Sequence, residues 1–387
     1  MLFSEIIGQE HIKRHLTTTV DEGRIAHAQL FVGPEGSGTL PMAIAYAQYL
    51  LCANKNAENI GGNESCNLQF KNLSHPDLHF AFPVTITDKV KKHPVSSQFL
   101  EEWRQLIDQQ PYGNLFDWYQ LLGVDNKQGQ IGVDEAADIV KSLSLKSYEG
   151  GYKVMLIWMA EKMNAACANK LLKLIEEPPN KTIFILIAEE EEQIISTIRS
   201  RCQILHFPPL AEEAIAKALV TKYDIHESIA QKLAAQAHGN FNKACDLVYK
   251  DSEDIQFEDW FVFWIRSAFK AKGNKAAIHD LISWSDEISK AGRETQKQFL
   301  QFCLDYFRQA LLLNYKAESL VYLEPQSNDF KLEKFAPFVH DGNIIDISEA
   351  LQDAMYHIER NGNAKIILTD LSIKLTRYLH KKSQANA

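Results

Sequence analysis

Residues 28–40, AQLFVGPEGSGTL, join an apolar run to a glycine-rich turn. The run Ala28–Val32 is nearly continuous in apolar character, as in strands that are buried on both faces of a parallel sheet. The turn Gly33–Gly38 follows it directly, and a stretch of helix length comes next. A glycine-rich turn in this position can hold phosphate with its backbone N–H groups and the helix N-terminus. The stretch therefore predicts an α/β fold in which the glycine-rich turn derives from a P-loop.

Four further apolar runs of strand length support this interpretation. They are Leu78–Phe82, Val154–Met159, Ile183–Ala188 and Ile204–Phe207. Helix-length segments separate them, which is the alternation that α/β proteins show. After Pro208 and Pro209 no strand-like run follows, and the pattern becomes helical. We therefore predict a parallel-sheet domain at 1–208, a small helical domain at 209–250 and an all-α domain at 254–387.

Residues 84–128 form a predicted helical insertion within the first domain. Large apolar side chains lie on two short helical faces of this insertion. The first face comprises Phe99, Trp103, Leu106 and Ile107, and the second comprises Leu115, Trp118, Tyr119 and Leu122. We predict a packed helical pair on the flank of the domain. A partner-binding surface is the alternative, because aromatic residues are enriched at interfaces.

The composition excludes several classes of protein. The chain of 387 residues has a net charge of −9 and a pI of about 5.8, which argues against a nucleic-acid coat protein. Its six cysteines are scattered, so they do not indicate a disulfide framework. The N-terminal sequence lacks the features of a signal peptide, and no apolar run reaches the roughly 18 residues of a membrane span. We therefore expect a cytoplasmic protein without a membrane partner.

The glycine-rich turn lacks the side chains that ATP chemistry needs. A working P-loop continues with Lys for the β- and γ-phosphates and then Ser or Thr for magnesium, and here these positions are Thr39 and Leu40. The strand at 154–159 should end in acids, yet Trp158 and Met159 occupy those positions and neither binds a hard cation. The nearest acid, Glu161, is interpreted as a solvated residue just past the strand. The glycine backbone alone could still hold a lone phosphate or sulfate.

An ordered series of motifs makes the comparison with one family specific. Asn169–Pro179 (NKLLKLIEEPP) is followed by Thr182–Ala188 (TIFILIA) and Thr197–Cys202 (TIRSRC). Near the start of the chain, Ile7–Gln9 (IGQ) and Arg24–Ala28 (RIAHA) precede the first strand. In this order and spacing, the series resembles the AAA+ subunits of sliding-clamp loaders, and most closely the delta-prime type of the bacterial DNA polymerase III. The resemblance covers roughly residues 3–245.

The resemblance implies a role for one arginine. In this family, the Arg of the Ser-Arg-Cys motif reaches into the ATP site of the adjacent subunit, and that position is Arg201, between Ser200 and Cys202. Such an arginine finger stabilises charge on the transferring phosphoryl group and contributes about 10³–10⁵ in rate. The alternative is that Arg201 only pairs with a carboxylate of its own domain.

Two more positions of the family's ATP site have changed. The polar sensor residue expected after the strand at 183–188 falls on Ala188, and the sensor arginine of the lid falls on Asn242, in Gly239–Asn242 (GNFN). Together with Lys, Ser/Thr and the strand acids, five elements of the site are lost. The resemblance therefore implies a relic P-loop at Gly33, Gly36, Gly38 and Thr39 that does not hydrolyse ATP.

The resemblance also implies partners and an architecture. The expected partners are motor subunits of gamma/tau type and a delta-like subunit, with the sliding clamp and primer–template DNA contacted through the complex. Residues 209–250 would be the lid of the AAA+ domain, and the helices of 254–387 would pack with their counterparts into a ring-shaped collar. The alternatives are an active AAA+ ATPase that uses a nonstandard site and a helical scaffold outside replication.

The cysteines depart from the family's pattern. Its members usually hold zinc with four cysteines after the P-loop helix, whereas this chain keeps only Cys52 and Cys66 there. The two intervening positions fall near Ile60 and on Asn63. Tetrahedral zinc needs two more ligands, for which His75 and Asp77 are nearby in sequence. We predict two free thiols and no bound metal.

Overall fold

The protein is described by a computed structural model. The structure describes residues 1–52, 64–124, 127–148, 151–179, 181–249, 252–321, 323, 325 and 330–382. The chain divides into two compact units, Met1–Val248 and Tyr249–Ala387.

A five-stranded parallel sheet forms the centre of the first unit. The strands are β1 (Ala28–Val32), β2 (Leu78–Ala81), β3 (Lys153–Ile157), β4 (Thr182–Ala188) and β5 (Gln203–His206). Their order across the sheet is β2-β3-β4-β1-β5, so that β1 pairs with β4 on one side and β5 on the other. Each predicted apolar run corresponds to one strand, which confirms the predicted α/β class with a parallel sheet.

Helices cover both faces of this sheet. The helices of the first unit are α1 (Glu10–Asp21), α2 (Thr39–Cys52), α3 (Glu64–Lys71), α4 (Leu100–Gln109), α5 (Leu115–Leu122), α6 (Val133–Ser144), α7 (Ala165–Glu176), α8 (Ser196–Arg199), α9 (Glu212–Tyr223), α10 (Glu227–Ala237) and α11 (Phe241–Tyr249). Because side chains alternate along a strand, Phe31 and Leu156 enter one hydrophobic core, while Leu30 and Met155 enter the other. Burial on both faces explains the continuous apolar runs.

The insertion at 84–128 contributes α4 and α5, which pack against each other. Trp103 and Trp118 are completely buried, and their ring centroids lie 5.6 Å apart in an edge-on arrangement. Trp103 also packs against Trp158, with ring centroids 5.1 Å apart. The predicted helical pair is therefore confirmed, and it reaches the end of β3.

The described residues of the second unit form helices and their connections, with no strand among them. Its helices are α12 (Ser252–Lys270), α13 (Lys275–Ile288), α14 (Arg293–Asn314), α15 (Leu332–Phe335), α16 (Ile344–Glu359) and α17 (Ala364–Tyr378). Aromatic residues fill the core of this unit, where Trp264 and Trp284 stack with centroids 4.8 Å apart. None of the helices that the structure describes combines the length and apolar character that a membrane crossing requires.

The predicted helices at 211–250 are α9, α10 and α11. They belong to the first unit, whose boundary lies at Val248. The separate lid domain at 209–250 and the collar role of 254–387 remain predictions.

Candidate functional site

The turn between β1 and α2 has a backbone that only glycine adopts easily. Gly36 and Gly38 have φ angles of 68° and 92°, in the left-handed region that side chains rarely tolerate. Space is also restricted, because a Cβ atom on Gly36 would overlap Oδ1 of Asn240. On Gly38 it would lie 3.1 Å from Cε1 of Tyr112. The glycines of the predicted P-loop are therefore needed by the fold of this chain itself.

Tyr112 closes the turn from the side of the insertion. Its side chain is buried, and its ring meets the ring of Phe241 edge-on with centroids 5.0 Å apart. The Tyr112 hydroxyl accepts a hydrogen bond of 2.9 Å from the backbone N–H of Ile7. Burial raises the pKa of Tyr112 to about 12, so this hydroxyl stays protonated at neutral pH. The phenol thus joins three distant parts of the first unit.

Two carboxylates lie beside the turn. Oε1 of Glu35 accepts hydrogen bonds of 3.0 Å from the side-chain amides of both Asn114 and Asn240. Oδ2 of Asp117 accepts one of 2.8 Å from the amide of Asn242. Burial raises the pKa of Asp117 above its ordinary value. Acidic groups at this position oppose the binding of phosphate, which a working P-loop attracts.

The turn, the insertion and the strand ends leave a cavity of about 30 Å³. Its lining includes Gly33–Gly36, Gly38–Pro41, Pro111–Asn114, Trp158, Met159 and Ile187–Glu189. A volume of this size is comparable with that of one water molecule. Sites for drug-sized ligands or cofactors occupy about 300–1,000 Å³. The turn is therefore already filled by the protein's own side chains.

The strand ends place apolar residues where an ATP site has polar ones. Trp158 and Met159 follow β3 and are buried, and Ala188 is the last residue of β4. Glu161 is half-buried rather than solvated as predicted, and its carboxylate oxygen Oε2 is buried. A short 3-10 helix, Ala160–Lys162, turns the chain back, so that Oε1 of Glu161 accepts a hydrogen bond of 3.3 Å from the N–H of Glu189. Burial raises the pKa of Glu161.

Arg201 follows α8 and contacts the end of α7. Its Nε donates a hydrogen bond of 2.5 Å to Oε1 of Glu176, and a terminal nitrogen pairs with the same oxygen. The other terminal nitrogen donates to the backbone carbonyl of Thr197 over 2.7 Å. The intradomain contact considered as an alternative is therefore present. Both side chains remain accessible, with 36% of Arg201 and 42% of Glu176 exposed.

Two prolines end the helix that carries Glu176, and Ser200 and Cys202 flank Arg201. Pro178 and Pro179 follow α7, which ends at Glu176 because proline lacks the backbone N–H that a helix needs. Ser200 is exposed, whereas Cys202 is half-buried, and burial raises the pKa of its thiol to about 11. Cys202 is consequently a packing residue rather than a reactive thiolate.

Comparison with known proteins assigns the chain to a family. The model of the family described as DNA polymerase III, delta subunit, matches residues 8–211, which is just over half of the chain. The chain belongs to this family. The DNA polymerase III subunit delta' of Bacillus subtilis is 28% identical over 243 residues, or 63% of this chain and 60% of that protein. The subunit delta' of Haemophilus influenzae is 27% identical, over 57% of this chain and 56% of that protein.

A relative of another subunit type also matches. The DNA polymerase III subunit tau of Bacillus subtilis is 25% identical over 326 residues, or 80% of this chain and 50% of that protein. The chain thus spans about half to 60% of the length of these relatives. The predicted resemblance to delta-prime-like clamp-loader subunits is confirmed.

The cysteine pair of this delta-prime-like subunit was predicted wrongly. Cys52, at the end of α2, and Cys66, in α3, form a disulfide whose Cα atoms lie 5.5 Å apart. The packing of α3 on α2 brings together two thiols that the sequence separates by 14 positions. The positions near Ile60 and on Asn63 lie outside the described residues.

The two additional zinc ligands that we considered are engaged elsewhere. His75 and Asp77 are buried, and Oδ1 of Asp77 accepts a hydrogen bond of 2.8 Å from the N–H of Tyr148. Across the described part of the chain, no three His, Cys, Asp or Glu side chains form a group suited to a metal ion. The absence of zinc stays a prediction.

Sequence reasoning missed the residues that fill the relic turn in this family member. Tyr112 and Asn114 belong to the short connection between α4 and α5, about 75 positions after the glycines. Nothing in the spacing of the insertion indicates a contact with Gly36 or Gly38. The available signal was the acid Glu35 inside a phosphate-binding turn, which requires hydrogen-bond donors from other parts of the chain.

Proposed function

We propose that this chain is a non-ATPase subunit of a DNA polymerase III clamp loader and helps to load the sliding clamp onto primed DNA. Its direct partners are motor subunits of gamma/tau type and a delta-like subunit. The clamp and the primer–template DNA are contacted through the complex. Membership in a family of DNA polymerase III subunits supports this assignment. The work of such a complex lies in the cytoplasm, where bacterial DNA is replicated.

The closed turn between β1 and α2 is the observation that carries the non-ATPase role. Thr39 and Leu40 offer neither the ammonium group nor the magnesium ligand of a P-loop. Glu35 adds a negative charge, and the remaining cavity of about 30 Å³ is far below the size of a nucleotide site. We expect the chain to use neither ATP nor zinc as a cofactor.

Arg201 is the residue that we propose to act on a neighbour's nucleotide. Its exposed pair with Glu176 is worth about 0–1 kcal/mol, because water screens it. An arginine finger contributes about 10³–10⁵ in rate, which corresponds to about 4–7 kcal/mol of transition-state stabilisation. The interaction of the guanidinium with a neighbouring transition state is therefore several kcal/mol more favourable than its ion pair with Glu176. Arg201 can consequently leave Glu176 with a loss of at most about 1 kcal/mol. Ser200 and Cys202 flank it in the motif.

Measurements on the isolated chain test the non-ATPase role. We expect no hydrolysis of magnesium-ATP and an ATP dissociation constant weaker than about 1 mM. The alternative is an active ATPase with a nonstandard site, which the match to a tau subunit over 80% of the chain favours. Turnover by a preparation free of motor subunits, and its loss on Gly38→Ala, would support that alternative and exclude our proposal.

Reconstitution tests the assembly. Mixing the chain with the motor and delta-like subunits of the same organism should give one stable complex that loads the clamp. Omission of this chain should abolish loading. Loading at an undiminished rate without the chain would exclude the role in the clamp loader while leaving the ATP result untouched.

A further inference from the structure

The connection between α4 and α5, together with the first turn of α5, lies between two segments that are distant in sequence. We call residues 111–117 the closing segment. On one side it contacts the turn Gly33–Gly38, because Tyr112 covers Gly38 and Asn114 bonds to Glu35. On the other side it contacts residues 239–242, because Tyr112 packs on Phe241. The closing segment therefore bridges the glycine turn and the start of α11.

The bridge is polar as well as apolar. Glu35 accepts hydrogen bonds from both Asn114 and Asn240, so a single carboxylate joins all three segments. Asp117 accepts one from Asn242. The backbone N–H of Phe241 donates directly to the carbonyl of Gly36 over 3.2 Å. Each hydrogen-bond donor in this set has an acceptor. We call these contacts among the glycine turn, the closing segment and residues 239–242 the joint.

We propose that the closing segment is an intramolecular ligand of the relic P-loop and that it holds the start of α11 in a fixed position against the glycine turn. A tethered group competes at a high effective concentration, and it loses little translational freedom on binding. Ligands in solution consequently do not displace it. The role of the insertion would then be to fix the position of α11 relative to the sheet, whether or not nucleotide is present.

The charges around the joint favour the closing segment over an anion as the occupant of the glycine turn. A phosphate at the turn would lie beside Glu35, whose carboxylate repels it. The three amides of Asn114, Asn240 and Asn242 instead satisfy Glu35 and Asp117. The buried phenol of Tyr112 contributes bulk without charge, because a tyrosine hydroxyl is protonated at neutral pH. The acids beside the turn are thus satisfied by hydrogen-bond donors of the protein itself.

Hydrogen–deuterium exchange on the full chain tests this joint. Tyr112→Ala should speed exchange at least tenfold in peptides covering 33–42 and 239–246, with the second unit unchanged. Tyr119→Ala is the matched control, since Tyr119 is a buried tyrosine of the same insertion whose hydroxyl bonds to the backbone of Gly129 instead. It should not speed exchange preferentially in those two peptides. Equal acceleration in both variants would reduce Tyr112 to a general core residue and overturn the proposal.

Rescue by a small phenol sharpens the test. An apolar cavity left by truncation can bind an aromatic molecule of matching size, so p-cresol should slow exchange of 33–42 and 239–246 in Tyr112→Ala. It should have no such effect in Tyr119→Ala. If Tyr112→Ala does not fold, Asn242→Leu leaves Asp117 without its amide partner and should loosen the same two peptides. Unchanged exchange in Asn242→Leu would contradict the joint. These experiments need no clamp-loader partner, so their outcome is independent of the proposed function.

Discussion

The ring of Tyr112 lies directly over Gly38, so that a Cβ atom added to this glycine would come within 3.1 Å of the Tyr112 Cε1 atom. A residue of the insertion therefore occupies the space above the glycine turn of the relic P-loop. The contact joins the one motif that suggests nucleotide binding to the one segment whose role the sequence leaves open.

Gly38→Ala should lower the free energy of unfolding of the first unit by about 2–4 kcal/mol. About 1 kcal/mol or more comes from the positive φ angle, and the rest comes from the displacement of the Tyr112 ring. Gly23→Ala is the matched control, because Gly23 has a φ of 69° with no atom near its missing Cβ. Urea unfolding measures both. Equal losses would mean that the contact with Tyr112 contributes nothing.

Restoring the motif should not restore the site. The double variant Thr39→Lys, Leu40→Ser recreates the P-loop sequence, yet we expect no ATP binding below about 1 mM. Tyr112 and the amides on Glu35 still fill the turn, and Trp158 and Met159 still supply no magnesium ligand. Isothermal titration with magnesium-ATP measures this. Micromolar binding by the double variant would show that the two side chains alone had been limiting.

The sequence predicted the sheet well because its signal is local. Continuous apolar runs identify strands that are buried on both faces, and five such runs gave five parallel strands. The contacts of Tyr112 with Gly38 and Phe241 were not predictable, because they join positions that are far apart and carry no shared periodicity. The pairing of Cys52 with Cys66 was missed for a different reason, because six scattered cysteines do not indicate a disulfide framework. Family motifs predict a chemical role for Arg201, but they contain no information about Glu176, the residue with which it pairs.

Glu135 should make the stability depend on pH. This residue of α6 is buried, accepts a hydrogen bond of 2.7 Å from the N–H of Ser96, and burial raises its pKa from 4.5 to about 7. The unfolded chain loses the proton near pH 4.5, whereas the folded chain keeps it until about pH 7. Stability from this group is therefore present below pH 4.5 and decreases as the pH rises to about 7, by about 3 kcal/mol in total.

Glu135→Gln removes that titration while keeping an oxygen for the Ser96 N–H. The decrease between pH 4.5 and pH 7 should therefore be smaller by about 3 kcal/mol in this variant. Urea unfolding at the two pH values measures the difference, with the exposed Glu213→Gln as the control. Parallel pH profiles for the wild-type chain and Glu135→Gln would contradict the raised pKa.

Arg201→Ala should leave the stability of this chain nearly unchanged but slow ATP hydrolysis by the adjoining motor subunit. Its pair with Glu176 is exposed, so the loss of stability should stay below about 1 kcal/mol. In a reconstituted loader, assembly should persist, because one exposed side chain rarely decides an interface. ATP hydrolysis at the adjoining motor site should fall by about 10³ or more, and clamp loading should slow. To isolate this motor site, the P-loop lysines of the other motor subunits are replaced. Single-turnover ATP hydrolysis is then measured with DNA and clamp present.

Matched variants separate the finger from a structural role. Arg201→Lys should rescue poorly, because lysine lacks the planar fork that holds phosphate at two points. Arg199→Ala is the control, since Arg199 pairs with Glu191 at 3.7 Å and lies outside the Ser-Arg-Cys motif. Glu176→Gln weakens the resting partner of Arg201 and should leave hydrolysis intact or faster. If Arg201→Ala instead unfolds the chain, or leaves hydrolysis and loading unchanged, then the bond to Glu176 is the whole function of Arg201 and the finger assignment is wrong.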